Sequence, residues 1–409
     1  MLTFLEARQL VLEHITPLTP GTVALDQALG LAAAEDLRAA EPVPPFTNSA
    51  MDGYALRASD GRDASDTIPV RLPVTGGLSA GNIPKEALQP GTAVRIMTGA
   101  PMPEGADSVV PIEHTLNGAD WVELRKSPKL GANVRRAGED ISLGGLVVGH
   151  GTTLRPGEIA VLAATGFAQV PVFHRAKVAI LTTGNELIDC GMTPGPGQIR
   201  DANIHALAAQ IRAFGGIPVF FPRVPDDRER VDTVLAEALA SCDLLLTTGG
   251  VSVGDYDFVK PALEAAGAEL VFWRVAQKPG GPLGFWMLNG TPVFGIPGNP
   301  VAAMLMVEEY VRPALRKMMG HRFLHRPTRR ATLDQPWSKS GPDGRVHFLR
   351  VVARETASGL RAALTGPQGS GILSSMLCAN ALAVIQETDL ALAAGESVLL
   401  HLTELAEDH

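Results

Sequence analysis

The chain has 409 residues, 45% hydrophobic and 19% charged, with 43 glycines and 31 prolines. That length exceeds one ordinary core and predicts about two to four domains, and Gly and Pro scattered without a repeat period read as punctuation between many short elements. A net charge of -8 without a basic block excludes generic attraction to nucleic acid, while the lack of a long apolar run or a signal-peptide pattern predicts a cytoplasmic protein with no membrane association.

Thr3 and Glu6 form a capping-box pattern ahead of Leu5, Leu10, Val11 and Ile15, whose spacing predicts a docked N-terminal helix. From Glu41 to about His174 the pattern changes to short alternating runs such as 68–74 and 92–97, separated by Gly and Pro, which predicts a β-rich region. Residues 176–320 read as alternating strands and capped helices, the arrangement that demands a parallel sheet. Its strands are expected at 177–183, 217–221, 243–248 and 293–296. Asp201 is expected to cap the first helix, a capping box at Asp226 and Glu229 to open the second, and Asn299-Pro300 to start a long helix reaching about Met319. The basic stretch HRFLHRPTRR (321–330) reads as a solvated linker before a small C-terminal β domain with strands near 345–352 and 381–386. Cys190, Cys242 and Cys378 are far apart and odd in number, so they are expected to be reduced and structural.

In an open parallel sheet, ligands gather at the carboxyl ends of the strands. Here three such ends carry TTGNE (182–186), TTGGVSVGD (247–255) and GIPGNP (295–300), which should lie side by side. Glycines let the backbone approach a ligand, and successive N–H groups with a following helix N-terminus attract phosphate. The chain has neither GxxxxGK[ST] nor GxGxxG, so nucleoside triphosphate hydrolysis and nicotinamide binding lose their main support. Carboxylates at Glu186, Asp255 and Asp257, with Asp52 and Glu139-Asp140 elsewhere, make sense beside phosphate chiefly if Mg²⁺ bridges them; each can equally serve as a helix cap or first-turn acid. Arg274, Lys278 and Arg350 are cations suited to an oxyanion, and Thr98 and Ser370 offer hydroxyls on glycine-bordered turns.

Taken together, PPFTNSAMDGYAL (44–56), MTGAPMP (97–103), GED (138–140), TGNEL (183–187), GQIRDAN (197–203), TTGGVSVGDYDF (247–258), KPGGP (278–282), GIPGNPVAA (295–303) and GPQGS (366–370) resemble the molybdopterin molybdenumtransferases, the MoeA and gephyrin E-domain family. The resemblance is nearly end to end, in order and spacing. It implies a multidomain α/β plus β chain: an N-terminal linking domain at 1–45 and 141–175, an inserted β domain at 46–140, a central MoaB/Mog-like α/β domain at 176–325 and a C-terminal β-barrel domain at 326–409. It further implies a homodimer whose cleft combines the α/β and C-terminal domains of one chain with the N-terminal β domain of the other. The implied reaction inserts molybdenum from molybdate into adenylylated molybdopterin with Mg²⁺ and releases AMP, with a molybdopterin adenylyltransferase as a possible partner.

By the same resemblance, Asp52, Asp140, Glu186, Asp257 and Lys278 would be catalytic, with Glu186 and Asp257 on the metal. Thr98, Thr183, Gly184, Asp201, Thr248, Gly249, Gly250, Ser252, Gly254, Pro297, Gly298 and Asn299 would hold the pterin nucleotide; Ser252, Lys278, Arg350 and Ser370 would hold molybdate. Two departures stand out: Gly281 replaces the family's second lysine in KPGKP, and Ala302 replaces the serine of PGNPVS. Losing a cation and a hydroxyl leaves open a catalytically weak pterin-binding or scaffolding paralogue; an adenylyltransferase is the third reading.

Overall fold

The computed structural model describes residues 1–223, 228–249 and 259–403. The helix Phe4–His14 opens with the expected reciprocal cap: the Glu6 amide donates to Thr3 Oγ1 at 3.3 Å and the Thr3 amide to Glu6 Oε2 at 2.8 Å. It buries Phe4, Ala7 and Val11 in the core of the central sheet. Phe4 meets Tyr310 and Phe348 edge-on at 5.8 and 5.0 Å, which wedges the helix between that sheet and the C-terminal strands.

A small core of Leu31, Leu37, Leu154, Leu162 and Val172 lies beneath the antiparallel pairs Pro20–Ala24 with Gln169–Phe173 and Leu37–Arg38 with Leu146–Val148, covered by the helix Pro156–Ala164. The intervening chain forms a six-stranded sheet in the order Ser108–Pro111, Gly53–Leu56, Ala93–Ile96, Val70–Leu78, Trp121–Leu124, Thr115–Asn117. Asp52 thus precedes one strand and Thr98 follows its antiparallel neighbour.

The central sheet has six strands in the order Ile217–Phe220, Lys177–Thr182, Leu244–Thr248, Thr291–Ile296, Gly284–Leu288, Glu269–Trp273. The first four are parallel, and Leu244–Thr248 is buried along its whole length, as a strand covered on both faces must be. The last two are antiparallel, so the sheet is mixed rather than wholly parallel. The helix Asn203–Ala213 follows Asp201, whose Oδ1 accepts from the Ile204 amide at 3.1 Å, and ends before Gly215 at φ +93. The predicted capping box at Asp226 and Glu229 lies partly outside the described residues; the helix that follows is Arg228–Leu239. From Pro300 the chain is helical to Met318, but Val307–Val311 widens into a π-turn just before Pro313, which lacks an amide to donate.

The C-terminal strands close a barrel: Val346–Thr356, Gly359–Leu364, Thr328–Leu333, Ser397–Leu402 and Ala381–Ile385, the last returning to the first. The short strand Gln277–Lys278 leaves the central sheet to pair in parallel with Val346–His347, joining the two units by backbone. The stretch 321–330 is largely exposed, as a solvated linker should be, but it is tethered and its end is part of the barrel. Thr328–Arg330 already belongs to the barrel, Arg326 Nε lies 2.7 Å from Glu308, the His321 ring bonds Thr153 at 2.8 Å, and Arg312 donates to the Leu324 carbonyl at 3.1 Å. Irregular backbone pinned by ion pairs and carbonyls has no hydrophobic period to reveal it.

Candidate functional site

The described parts of the three expected loops do meet, the second of them through Thr247–Gly249 only. The strands Lys177–Thr182, Leu244–Thr248 and Thr291–Ile296 are sheet neighbours, and their carboxyl ends interlock. The Thr183 amide donates to the Thr248 carbonyl at 3.1 Å, and a Cβ at Gly249, where φ is +83, would sit 2.7 Å from the Thr183 carbonyl oxygen. Gly249 and Gly298 also face one another, since a Cβ on Gly298 would lie 3.8 Å from the Gly249 Cα. Only glycine at 249 permits that approach.

Asn203, buried at the start of its helix, clamps two of these loops. Its Nδ2 donates to Thr248 Oγ1 at 2.9 Å and to the Gly298 carbonyl at 2.8 Å. Thr248 Oγ1 in turn donates to the Pro297 carbonyl at 3.2 Å. Yet Thr183 Oγ1, Asn203 Oδ1 and Asn299 Oδ1 are buried with no hydrogen-bond partner among the described residues. Buried polar atoms are normally satisfied, so this row of oxygens along one edge is what a polar ligand or its water would complete. Glu186 is exposed and its carboxylate folds over Gly184, within 2.6 Å of where a Cβ would be. Gly250, Ser252, Gly254 and Asp257 lie outside the described residues.

Beside this edge opens a cleft of about 640 Å³ between the KPGGP turn, the PGNP loop and the barrel loop 368–370. Lys278, Arg274, Arg345, Asn299, Gln368 and Ser370 line it, and no described carboxylate does. The turn is held from behind by the buried Gln277, which accepts from the Tyr310 hydroxyl and donates to the Pro279 carbonyl at 3.1 Å. Asn299 Nδ2 donates to Ser370 Oγ at 3.2 Å, linking sheet and barrel across the cleft. Asn299 stands at the N-cap position before Pro300, but its side chain makes no capping bond and faces Ser370 instead.

Arg350 is placed differently from the sequence expectation. It is fully buried and does not line the cleft; Nε donates to Ser375 at 3.1 Å, Nη2 to the Gly369 carbonyl at 3.1 Å, and its amide to Gln368 Oε1 at 2.8 Å. It therefore holds the loop bearing Ser370 from behind, and burial pulls its guanidinium pKa down. Asp52 and Asp140 line no part of the cleft in this chain either. Asp52 Oδ1 accepts from the amide and hydroxyl of Thr98, both at 2.7 Å, which lowers its pKa through the amide bond first. Asp140 is exposed in the turn whose amide donates to the Val43 carbonyl at 3.0 Å. Sequence reasoning missed Asn203, Gln277 and Arg345. The first two sit inside or beside glycine-rich motifs; Arg345 has no local signal.

A mostly parallel sheet whose carboxyl edge faces a closed barrel across a cation-lined cleft, with no carboxylate among its described lining residues, defines a multidomain protein with a central α/β domain. The chain belongs to the molybdopterin molybdenumtransferase family. Family models match in succession the MoeA N-terminal region (domain I and II) at residues 2–166, a probable molybdopterin binding domain at 179–317 and the MoeA C-terminal region (domain IV) at 330–403. Molybdopterin molybdenumtransferase 2 of Mycobacterium tuberculosis is 39% identical over 95% of this chain and 96% of its own length. The molybdopterin molybdenumtransferase of Bacillus subtilis is 36% identical over 89% and 85%. A crystal structure of the molybdopterin biosynthesis MoeA protein from Pyrococcus horikoshii superposes with TM-score 0.85 at 31% identity, covering 98% of this chain and all of the other. No helix among the described residues is long and apolar enough to cross a membrane.

Proposed function

We propose that the chain inserts molybdenum from molybdate into adenylylated molybdopterin, cleaving the phosphoanhydride with water to release AMP. The observation that carries this reading is the cleft with Lys278, Arg274 and Arg345 on its walls and no described carboxylate, contiguous with a glycine-rich strand edge. Thr183, Gly184, Thr248, Gly249, Pro297, Gly298 and Asn299 hold the pterin nucleotide in this reading, with the unpartnered oxygens of Thr183 and Asn299 as its hydrogen-bond acceptors. Asp201 fixes the helix that carries the Asn203 clamp. Lys278 and Ser370 face the oxyanion, and Arg350 positions Ser370.

The donor chemistry at the edge suits Mg²⁺: the exposed Glu186 carboxylate is a hard oxygen donor, and a magnesium site commonly uses one or two carboxylates with ligand phosphate oxygens and water. Among the described residues no cluster of three His, Cys, Asp or Glu stands ready to hold a metal alone. We assign Glu186 and Asp257 as the protein ligands; Mg²⁺ would supply neutralisation of charge on the pyrophosphate bridge. The chain's own work is then positioning, with Lys278 countering charge that develops on the departing oxygens. Asp52, held deprotonated by Thr98, and Asp140 reach the cleft from a second copy, so the working unit is a homodimer, with the four-part domain division given above. A cytoplasmic location and delivery of substrate by a molybdopterin adenylyltransferase complete the reading.

Incubation with adenylylated molybdopterin, Mg²⁺ and molybdate should release AMP. No release above a heat-killed control sinks the proposal, and tight pterin binding without release would instead favour a scaffolding paralogue, the outcome suggested by Gly281 and Ala302.

A further inference from the structure

A second cavity, of about 290 Å³, shares no lining residue with the cleft. It opens where three units meet. Arg8 reaches it from the N-terminal helix, Arg312 from the helix after the π-turn, His325 and Arg326 from the basic stretch, and Thr328 and His401 from two barrel strands. Thr328 stands opposite His401 in the pairing of those strands.

The two carboxylates of the wall are already committed. Glu308 accepts from Arg326 Nε at 2.7 Å and Nη2 at 3.3 Å, and Glu309 meets the His401 ring at 2.8 Å and Arg8 Nη1 at 3.6 Å. Arg312 is left with a share of Glu308 at 3.7 Å and a bond to the Leu324 carbonyl at 3.1 Å. Three guanidinium groups therefore face two carboxylates. Arg316 adds to the positive field felt by Arg312, and its own bonds go to the Phe323 carbonyl and the Thr153 hydroxyl. Arg312 is buried, and burial first, then Arg326, pull its pKa from 12.5 down to about 10. Buried charge in excess is costly, and an anion in the cavity lowers that cost.

The hydrogen-bonding capacity still unspent is mostly donors. Arg8 and Arg312 each keep guanidinium nitrogens beyond those named, and the side chains of His325 and Thr328 bond nothing among the described residues. Planar forks and a hydroxyl converge on a space below the range usual for drug-sized ligands, which suits a tetrahedral anion with its water.

We propose that this junction cavity binds a small inorganic oxyanion, phosphate or sulfate, through Arg8, Arg312 and the Thr328 hydroxyl. The ion bridges the N-terminal helix, the helix ending at Met318 and the barrel, so its binding favours the docked arrangement of all three. The site is independent of the reading of the cleft and stands whether or not AMP is released.

The probes are sodium phosphate and sodium sulfate, titrated calorimetrically into the full chain, wild type and Lys278→Gln, the latter to weaken competing binding in the cleft. Binding should persist in Lys278→Gln. In that background Arg8→Gln should weaken it about tenfold or more, the loss of a charge-assisted contact, and Thr328→Val about three- to tenfold. Thr328→Val keeps the side chain's shape and suits a strand, so it tests the site even if Arg8→Gln disturbs the pair with Glu309. Phosphate should also raise the melting temperature more than sodium chloride of equal ionic strength does, and Arg8→Gln should abolish that difference. Equal affinity for the two anions assigns recognition to charge, and preference for phosphate to its additional donor; either sustains the site. No binding of either anion by wild type, loss of binding in Lys278→Gln, or affinity within about twofold of the Lys278→Gln parent in either added variant overturns the proposal.

Discussion

Replacing Asn203 separates the contribution of the clamp from that of the loops it joins. The Gly298 carbonyl can only accept, so the amide nitrogen of Asn203 must face it, and at 2.8 and 2.9 Å the two bonds from Nδ2 are both well formed. Two neutral hydrogen bonds stabilise by about 1–3 kcal/mol in total. Asn203→Ala also removes Oδ1, a buried acceptor with no partner, and relief of that penalty offsets roughly 1 kcal/mol. The net loss should therefore be small, about 0–2 kcal/mol. Asn203→Asp keeps the shape but turns the donor into a charged acceptor facing the Gly298 carbonyl, and should cost at least about 3 kcal/mol. Urea denaturation followed by the fluorescence of Trp273 and Trp286, both packed on this sheet, reads the difference. Both variants should also raise KM for adenylylated molybdopterin, because the ends of two strands lose their common tie. If Asn203→Ala is as damaging as Asn203→Asp, or if neither differs from wild type, the clamp is not what holds the loops.

Gly249→Ala places a Cβ against the Thr183 backbone at φ +83, and should destabilise by about 1–3 kcal/mol with loss of pterin binding, whereas Gly281→Ala should melt like wild type. His321 is buried, and desolvation first, then Arg316, Arg312 and Arg175, push its pKa from 6.5 down to about 4. Because the unfolded chain takes up the proton earlier, the contribution is fully present above the unfolded value of 6.5 and is lost as pH falls towards 4, by up to about 3 kcal/mol. Denaturation midpoints of His321→Gln should accordingly change less steeply over that window than those of wild type. Glu186→Ala and Asp257→Ala should each abolish AMP release while leaving the melting temperature unchanged; full activity in both would remove the metal assignment.

What could be read from the sequence was set by local chemistry. Leu244–Thr248 is a continuous apolar run and Thr3-Glu6 a reciprocal cap, so both are visible within a few residues. The edge strand Glu269–Trp273 and its inner neighbour Gly284–Leu288 are short apolar runs without a usable period, so the pattern does not announce them although they make the sheet mixed. The three glycine-bearing loops were legible because their residues are unusual where they stand. Arg350 reads in the sequence only as a cation suited to an oxyanion; that it is buried, bonded to Ser375 and Gly369 and left with Nη1 unpartnered depends on the barrel around it, which no local pattern shows. Arg345 was invisible for a related reason: only the pairing of Val346 with Gln277, distant in sequence, brings it to the cleft.

That pairing ties the cleft proposed for the oxyanion to the docking of the barrel. The cleft has one wall on each unit, and the backbone rung at Gln277–Lys278 and the bond from Asn299 to Ser370 cross between them. Behind the rung, the Tyr310 hydroxyl donates to Gln277, whose Nε2 holds the Pro279 carbonyl, while Phe4 packs edge-on against both Tyr310 and Phe348 of the barrel. The N-terminal helix, through Phe4, therefore packs on both units behind the cleft. Truncating such a wedged aromatic loses its contacts with both units at once, a cost of about 3–5 kcal/mol for a buried Phe→Ala change. Part of that cost would fall on the pairing of Gln277–Lys278 with Val346–His347 that carries the neighbouring Arg345 to the cleft, so the proposed molybdate binding should weaken from packing alone, without any change in the charges of the cleft.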